Sequence, residues 1–100
     1  MRKDNKHRGS SFDEFLREQA IFDDVQAAAV KRALAEAVAD AMQEAKLSKV
    51  EMARRMGTSR SQLDRVLDPS YIAVQLDTLI RAASAVGRDL RVSLKRSARV

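Results

Sequence analysis

Apolar residues recur along this chain with the period of a helix over most of its length and with the period of a strand at one place. From residue 25 they fall at Val25, Ala29, Val30, Ala33, Leu34, Ala37, Val38, Ala41, Met42 and Ala45, the spacing that lays one stripe along a helix. Asp23 and Asp24 stand ahead of this stripe as candidate caps. A shorter helix is predicted before it, with Phe12, Phe15 and Leu16 as its apolar face and Ser11 and Glu14 at capping-box spacing. Leu47 breaks the long stripe, and Ser48 can cap a third helix, KVEMARRM, that ends at Gly57. Thr58 and Ser59 open a fourth, RSQLDRVLD. Pro69 stops it, because proline has no N–H and disfavours helix in the residue before it. After a loop at 70–75, Asp77 or Thr78 opens a fifth helix, TLIRAASAV, halted by Gly87.

The end of the chain differs. In DLRVSLK, residues 89–95, Leu90, Val92 and Leu94 alternate with Arg91, Ser93 and Lys95, the mark of a half-buried strand. A lone strand leaves its backbone donors and acceptors unpaired. The economical partner is its own copy across a two-fold axis; the alternative is a frayed tail. The expected fold class is therefore all-α, five helices with one C-terminal β-strand at 89–95 pairing across a homodimer. Residues 1–11 are polar and without period, and read as a disordered basic arm ahead of a single domain over 12–96.

Composition narrows the function. The chain has 100 residues and no cysteine, so disulfides and thiolate metal sites are excluded, and a reducing cytoplasm is the expected compartment. No apolar run approaches the roughly 18 residues that a membrane span needs, and no apolar stretch follows the basic N-terminus as a secretory signal requires. With a single histidine in the arm, no glycine-rich phosphate loop and no metal-ligand spacing, no enzymatic activity and no cofactor are expected. The net charge of +5 is uneven: residues 12–45 carry eight acidic and three basic side chains, residues 49–65 five basic and two acidic. The basic half suits a polyanion. The acidic half is either a surface for a basic partner or an ordinary solvated helix face.

Two short helices joined by a glycine-containing turn, residues 49–68, form a helix-turn-helix arrangement. With Lys49 as the first position, Ala53 falls where only a small side chain lets the helices pack, and Gly57 where the chain turns. Met52, Met56, Leu63 and Val66 fall on the side that such a unit buries. The second helix of the unit enters the major groove with its N-terminal residues toward base edges: here Ser59, Arg60, Ser61 and Gln62, with Arg65 one turn on. Arginine can donate twice to guanine and glutamine can pair with adenine. Each could instead hold phosphate, and Ser48, Lys49 and Thr58 are the candidates for that task. Arg54 and Arg55 are either solvated or paired with an acidic neighbour.

The stretch from Leu47 to Leu94, with SK-x-x-MARRM, TSRSQLDR-x-LDP, LDTL-x-RAA and G-R-x-L-x-V, resembles the XRE/Cro-repressor type of helix-turn-helix, and within it the HigA-type antitoxins. FDEFLREQ and the alanine-rich helix are similar to that group as well. The resemblance implies a lambda-repressor-like domain, a double-stranded DNA operator, a homodimer and a RelE/HigB-like ribonuclease toxin as partner. It also implies autorepression of a toxin–antitoxin operon. A plain regulator without a toxin, and an antitoxin that mainly neutralises its toxin, are the competing expectations.

Overall fold

The structure, a computed structural model, describes residues 2–96. Four helices follow one another: α1 (Arg2–Glu44), α2 (Lys49–Met56), α3 (Arg60–Leu67) and α4 (Leu76–Ala85). The molecule is 65 Å long by 29 and 18 Å, and that length is the length of α1, which at 1.5 Å per residue extends about 64 Å.

Two expectations are corrected here. The arm and the two N-terminal helices are one helix, since α1 runs from Arg2 through Ser11 and Asp24 to Glu44. Between Phe12 and Ala45 there is neither glycine nor proline, so nothing in the backbone forces a break, and Asp23 and Asp24 lie within the helix at exposed positions. The expected five helices are thus four. The C-terminal strand is absent as well: no strand forms among the described residues. Leu90 is half-buried, while Val92 is 76% and Leu94 99% exposed. Alternation alone does not make a strand, because its amides and carbonyls need a paired edge, and the described residues offer none.

Three helices end in the same way. Lys46, Gly57 and Gly87 each take positive φ, of 57°, 67° and 74°. In each case the amide of that residue and the amide of the next turn back onto the last carbonyls, the latter as in Leu47 N–H to Met42 (2.9 Å), Thr58 N–H to Ala53 (3.0 Å) and Arg88 N–H to Ala83 (2.8 Å). This left-handed cap satisfies carbonyls that the helix leaves orphaned. Gly57 and Gly87 suit it because they carry no Cβ. Lys46 adopts it at a steric cost.

The core lies where the second half of α1 crosses the α2–α3 pair, with α4 closing the other side. Met52 and Leu63 are fully buried, and Val66, Met56 and Ala53 nearly so, as the register counted from Lys49 requires. Val38 and Met42 of α1 and Ala82 of α4 complete this cluster. The side of α1 that faces it carries Lys31, Ala35, Val38 and Met42. Much of the alanine-rich stripe lies elsewhere: Val25, Ala29, Val30, Ala33, Ala37 and Ala45 are exposed. Among the described residues no helix is long and apolar enough to cross a membrane.

Candidate nucleic-acid interface

The candidate surface is the N-terminal edge of α3 with the start of α2 beside it. Both helices are capped by serine. Ser48 accepts from the Glu51 amide and Ser59 from the Gln62 amide, each at 3.1 Å. A capping hydroxyl uses its oxygen to accept, so its own hydrogen remains to be donated. Two hydroxyl donors therefore stand at two helix N-termini, where the backbone is electropositive. Thr58 lies half-buried in the turn, its amide bonded to Ala53.

Along α3 the apolar side is locked by Leu63 and Val66, which forces the opposite side outward. Arg60 and Ser61 are exposed there, and Arg60 makes no hydrogen bond or ion pair with the described residues. Arg65 is exposed but braced. Its Nη1 donates to Gln62 Oε1 at 3.2 Å, and its guanidinium lies over the Tyr71 ring, 5.5 Å from the centroid, within reach of a cation–π attraction. Gln62 is half-buried. Bracing fixes the plane of the Arg65 guanidinium, so less rotamer freedom remains to be lost when it pairs. Sequence reasoning missed Tyr71. It follows the Pro69 stop in a loop, and nothing local points it back at α3.

Lys49 sits on the first turn of α2, and its Nζ is 3.0 Å from Asp64 Oδ1. Both ends of the pair are about half exposed, so in water it contributes little and can exchange for phosphate. Asp64 thus bridges the two helices beside the arginines. Arg54 and Arg55 are held by Glu51, whose carboxyl the Arg54 hydrogen bond draws below its ordinary value, with Arg55 adding to the effect. Arg55 also donates to the Ala85 carbonyl at 3.2 Å, a cation at the end of α4.

A second unforeseen residue holds α3 from behind. Lys31 of α1 is only 4% exposed and donates from Nζ to the Arg65 carbonyl at 3.0 Å and to the Asp68 carbonyl. Of the predicted site, Ser48, Lys49, Thr58, Ser59, Arg60, Ser61, Gln62 and Arg65 share one stretch of two adjacent helices, whereas Leu90, Val92 and Leu94 form no strand.

The chain is similar to Antitoxin HicB 1 of Photorhabdus laumondii subsp. laumondii, with 32% identity over 56 residues. That stretch is 56% of this chain and 36% of the relative, so the chain spans about a third of the curated relative's length. The likeness is to an antitoxin, and it does not single out the XRE or HigA group. No protein-family model matches the chain. No solved structure matches it significantly.

Proposed function

We propose that this chain is the antitoxin of a toxin–antitoxin pair and that its α2–α3 unit binds operator DNA, as a homodimer, to repress its own operon. The observation that carries this reading is the arrangement of α3. Leu63 and Val66 bury one side, and the opposite side presents Arg60, Ser61, Gln62 and a braced Arg65. In this reading α3 lies in the major groove, with Arg60 and Arg65 reading base edges. Ser48, Lys49, Thr58 and Ser59 then hold phosphates. The resemblance to XRE and HigA-type regulators and the similarity to a HicB antitoxin support the regulatory and antitoxin parts. The acidic side chains of α1 suit a basic RelE/HigB-like ribonuclease as partner. No catalytic role is assigned.

The test is selection of bound sequences from a random duplex library, followed by titration of the selected site at several salt concentrations. A palindromic site is expected, with affinity falling steeply as salt rises. Arg60→Ala is expected to cost about 1–3 kcal/mol and to relax one base position. Unchanged affinity and unchanged sequence preference would remove Arg60 from the reading surface. For the partner, co-purification with the product of the adjacent gene is the check, and failure to find a small toxin frame there would remove the antitoxin part.

A further inference from the structure

Arg65 stands on the last turn of α3, yet its charge lies farther back along the helix. A long helical side chain leans over the turn that precedes it, and Arg65 Nη1 reaches Gln62 Oε1, three residues earlier, at 3.2 Å. Tyr71 adds a third contact, its ring centroid 5.5 Å from the guanidinium carbon. The three side chains line one cleft of about 130 Å³, together with Gln75 and Thr78 at the start of α4.

A tight turn fixes the backbone of Tyr71. Asp68, Pro69, Ser70 and Tyr71 place aspartate first and proline second, as such turns favour. The Tyr71 N–H donates to the Asp68 carbonyl at 3.1 Å. The Asp68 carboxylate accepts from the Ser70 amide at 2.9 Å and from the Ser70 hydroxyl at 2.7 Å. Lys31 of α1 donates to the same Asp68 carbonyl. The ring that meets Arg65 is thus carried on a turn that is itself tied to the long helix.

The chemistry of the cluster sets what it can bond. A guanidinium has five N–H donors and no acceptor, so the Gln62 atom that faces it is the amide oxygen. The Gln62 amide nitrogen and the remaining guanidinium hydrogens are left for a ligand, and all of them donate. Asp64, the acidic residue of α3, is engaged by Lys49 at 3.0 Å. In the major groove guanine shows two acceptors, N7 and O6. Adenine sets an amino donor beside its N7, cytosine shows an amino donor, and thymine one acceptor beside a methyl group. An unengaged glutamine suits adenine, but here an adenine amino group would have to share the Gln62 oxygen with a cation.

We propose that Gln62, Arg65 and Tyr71 form one reading unit that selects guanine: Arg65 and Gln62 donate to the base, and Tyr71 is a positioning residue that orients Arg65. This rests on the reading of α3 as the major-groove helix, and adds to it the identity of one base and a determinant outside the α2–α3 unit. The ring contact holds the plane of the guanidinium, so a two-pronged pair forms with less loss of rotamer freedom. Removing the ring therefore lowers discrimination between bases while leaving the charge, and with it the attraction to any duplex, in place.

The test uses the full-length protein and the duplex site it selects from a random library. The base pair whose preference Arg65→Met relaxes is located first. In the parent's site it is expected to carry guanine, with adenine there weaker by about fivefold or more. Replacing that guanine by 7-deazaguanine, which lacks the N7 acceptor, is expected to weaken binding, whereas inosine, which keeps N7 and O6, binds as guanine does. Tyr71→Leu is expected to shrink the guanine-over-adenine ratio by about two- to fivefold, with affinity for unrelated duplex and the salt slope unchanged. Tyr71→Phe keeps the ring and the ratio, and Tyr71→Leu adds nothing to Arg65→Met. Should Tyr71→Leu fail to fold, as judged by circular dichroism, the modified duplexes and Tyr71→Phe decide. Adenine at the located pair would overturn the proposal and leave the major-groove reading of α3 standing. So would a selected site in which Arg65→Met relaxes no pair, or a folded Tyr71→Leu with the parent's ratio. A chain that selects no sequence at all would overturn both.

Discussion

The Nζ of Lys31 lies 3.0 Å from the backbone carbonyl of Arg65, so a lysine of α1 holds the last turn of the candidate recognition helix, the turn that carries Arg65 itself. The last carbonyls of a helix have no internal partner and form the negative end of its dipole. Lys31 supplies a cation and hydrogen-bond donors to Arg65 and Asp68 together. Burial pushes the Lys31 pKa below its ordinary value, and the Asp68 carboxylate offsets part of that shift. The α1–α3 contact is therefore polar at its edge as well as apolar at its centre.

Replacement of Lys31 by methionine tests this brace. The stem remains apolar, but two carbonyls beneath it lose their donor. Leaving such groups unsatisfied costs about 1–3 kcal/mol, and each kcal/mol lowers the melting temperature of a domain of this size by roughly 4–8 °C. Lys31→Met is expected to melt lower by at least the smaller of these amounts. A melting temperature equal to the parent's would show the contact to be energetically idle.

Asp64 is the negative group among Lys49, Arg60 and Arg65. Asp64→Asn releases Lys49 from its 3.0 Å pair and removes one charge that repels phosphate. Because an exposed pair contributes about 0–1 kcal/mol, folding should hardly change. Affinity for unrelated duplex DNA is expected to rise, and the slope of log affinity against log salt to steepen by up to one phosphate's worth. Weaker binding at every salt concentration would instead make Asp64 a direct reader, accepting from cytosine.

Lys46 occupies a left-handed cap, at φ 57°, that glycine fills at the ends of α2 and α4. A side chain in that conformation is strained by about 1 kcal/mol or somewhat more, and glycine removes the strain at some entropic cost. Lys46→Gly is expected to raise stability by about 0.5–1 kcal/mol in chemical denaturation, without change in the slope against denaturant. A destabilised variant would mean that the Lys46 side chain contributes more than its backbone costs.

Acid should weaken the fold through two carboxylates. The Arg54 hydrogen bond draws Glu51 below its ordinary 4.5, and hydrogen bonds from the Ser70 hydroxyl and amide draw Asp68 below 3.8. Groups depressed by folding contribute stability above their unfolded values and lose it as pH falls through the folded ones. Stability is expected to be level from pH 8 to about 5 on account of these groups and to decline below about 4.5. Glu51→Gln and Asp68→Asn together should flatten that decline, and an undiminished acid transition in the double variant would assign it to other residues.

The α2–α3 unit was legible in the sequence because its signals are local. Ala53, Gly57 and the apolar positions from Met52 to Val66 lie within four turns of helix, where a period of 3.6 and a single left-handed residue dictate which side is buried. Ser48 and Ser59 announced their helices for the same reason, since a cap bonds to an amide three residues on. Tertiary structure decided the rest. Alanine buries too little surface to say which edge of a stripe faces a core, so the long stripe of α1 divided into a packed side and an exposed one. Lysine normally marks solvent, yet Lys31 is covered because the end of α3 supplies two carbonyls for it. Leu90, Val92 and Leu94 alternate like a strand, but a strand exists only when a second edge pairs with it, and no pattern within one segment can provide that edge.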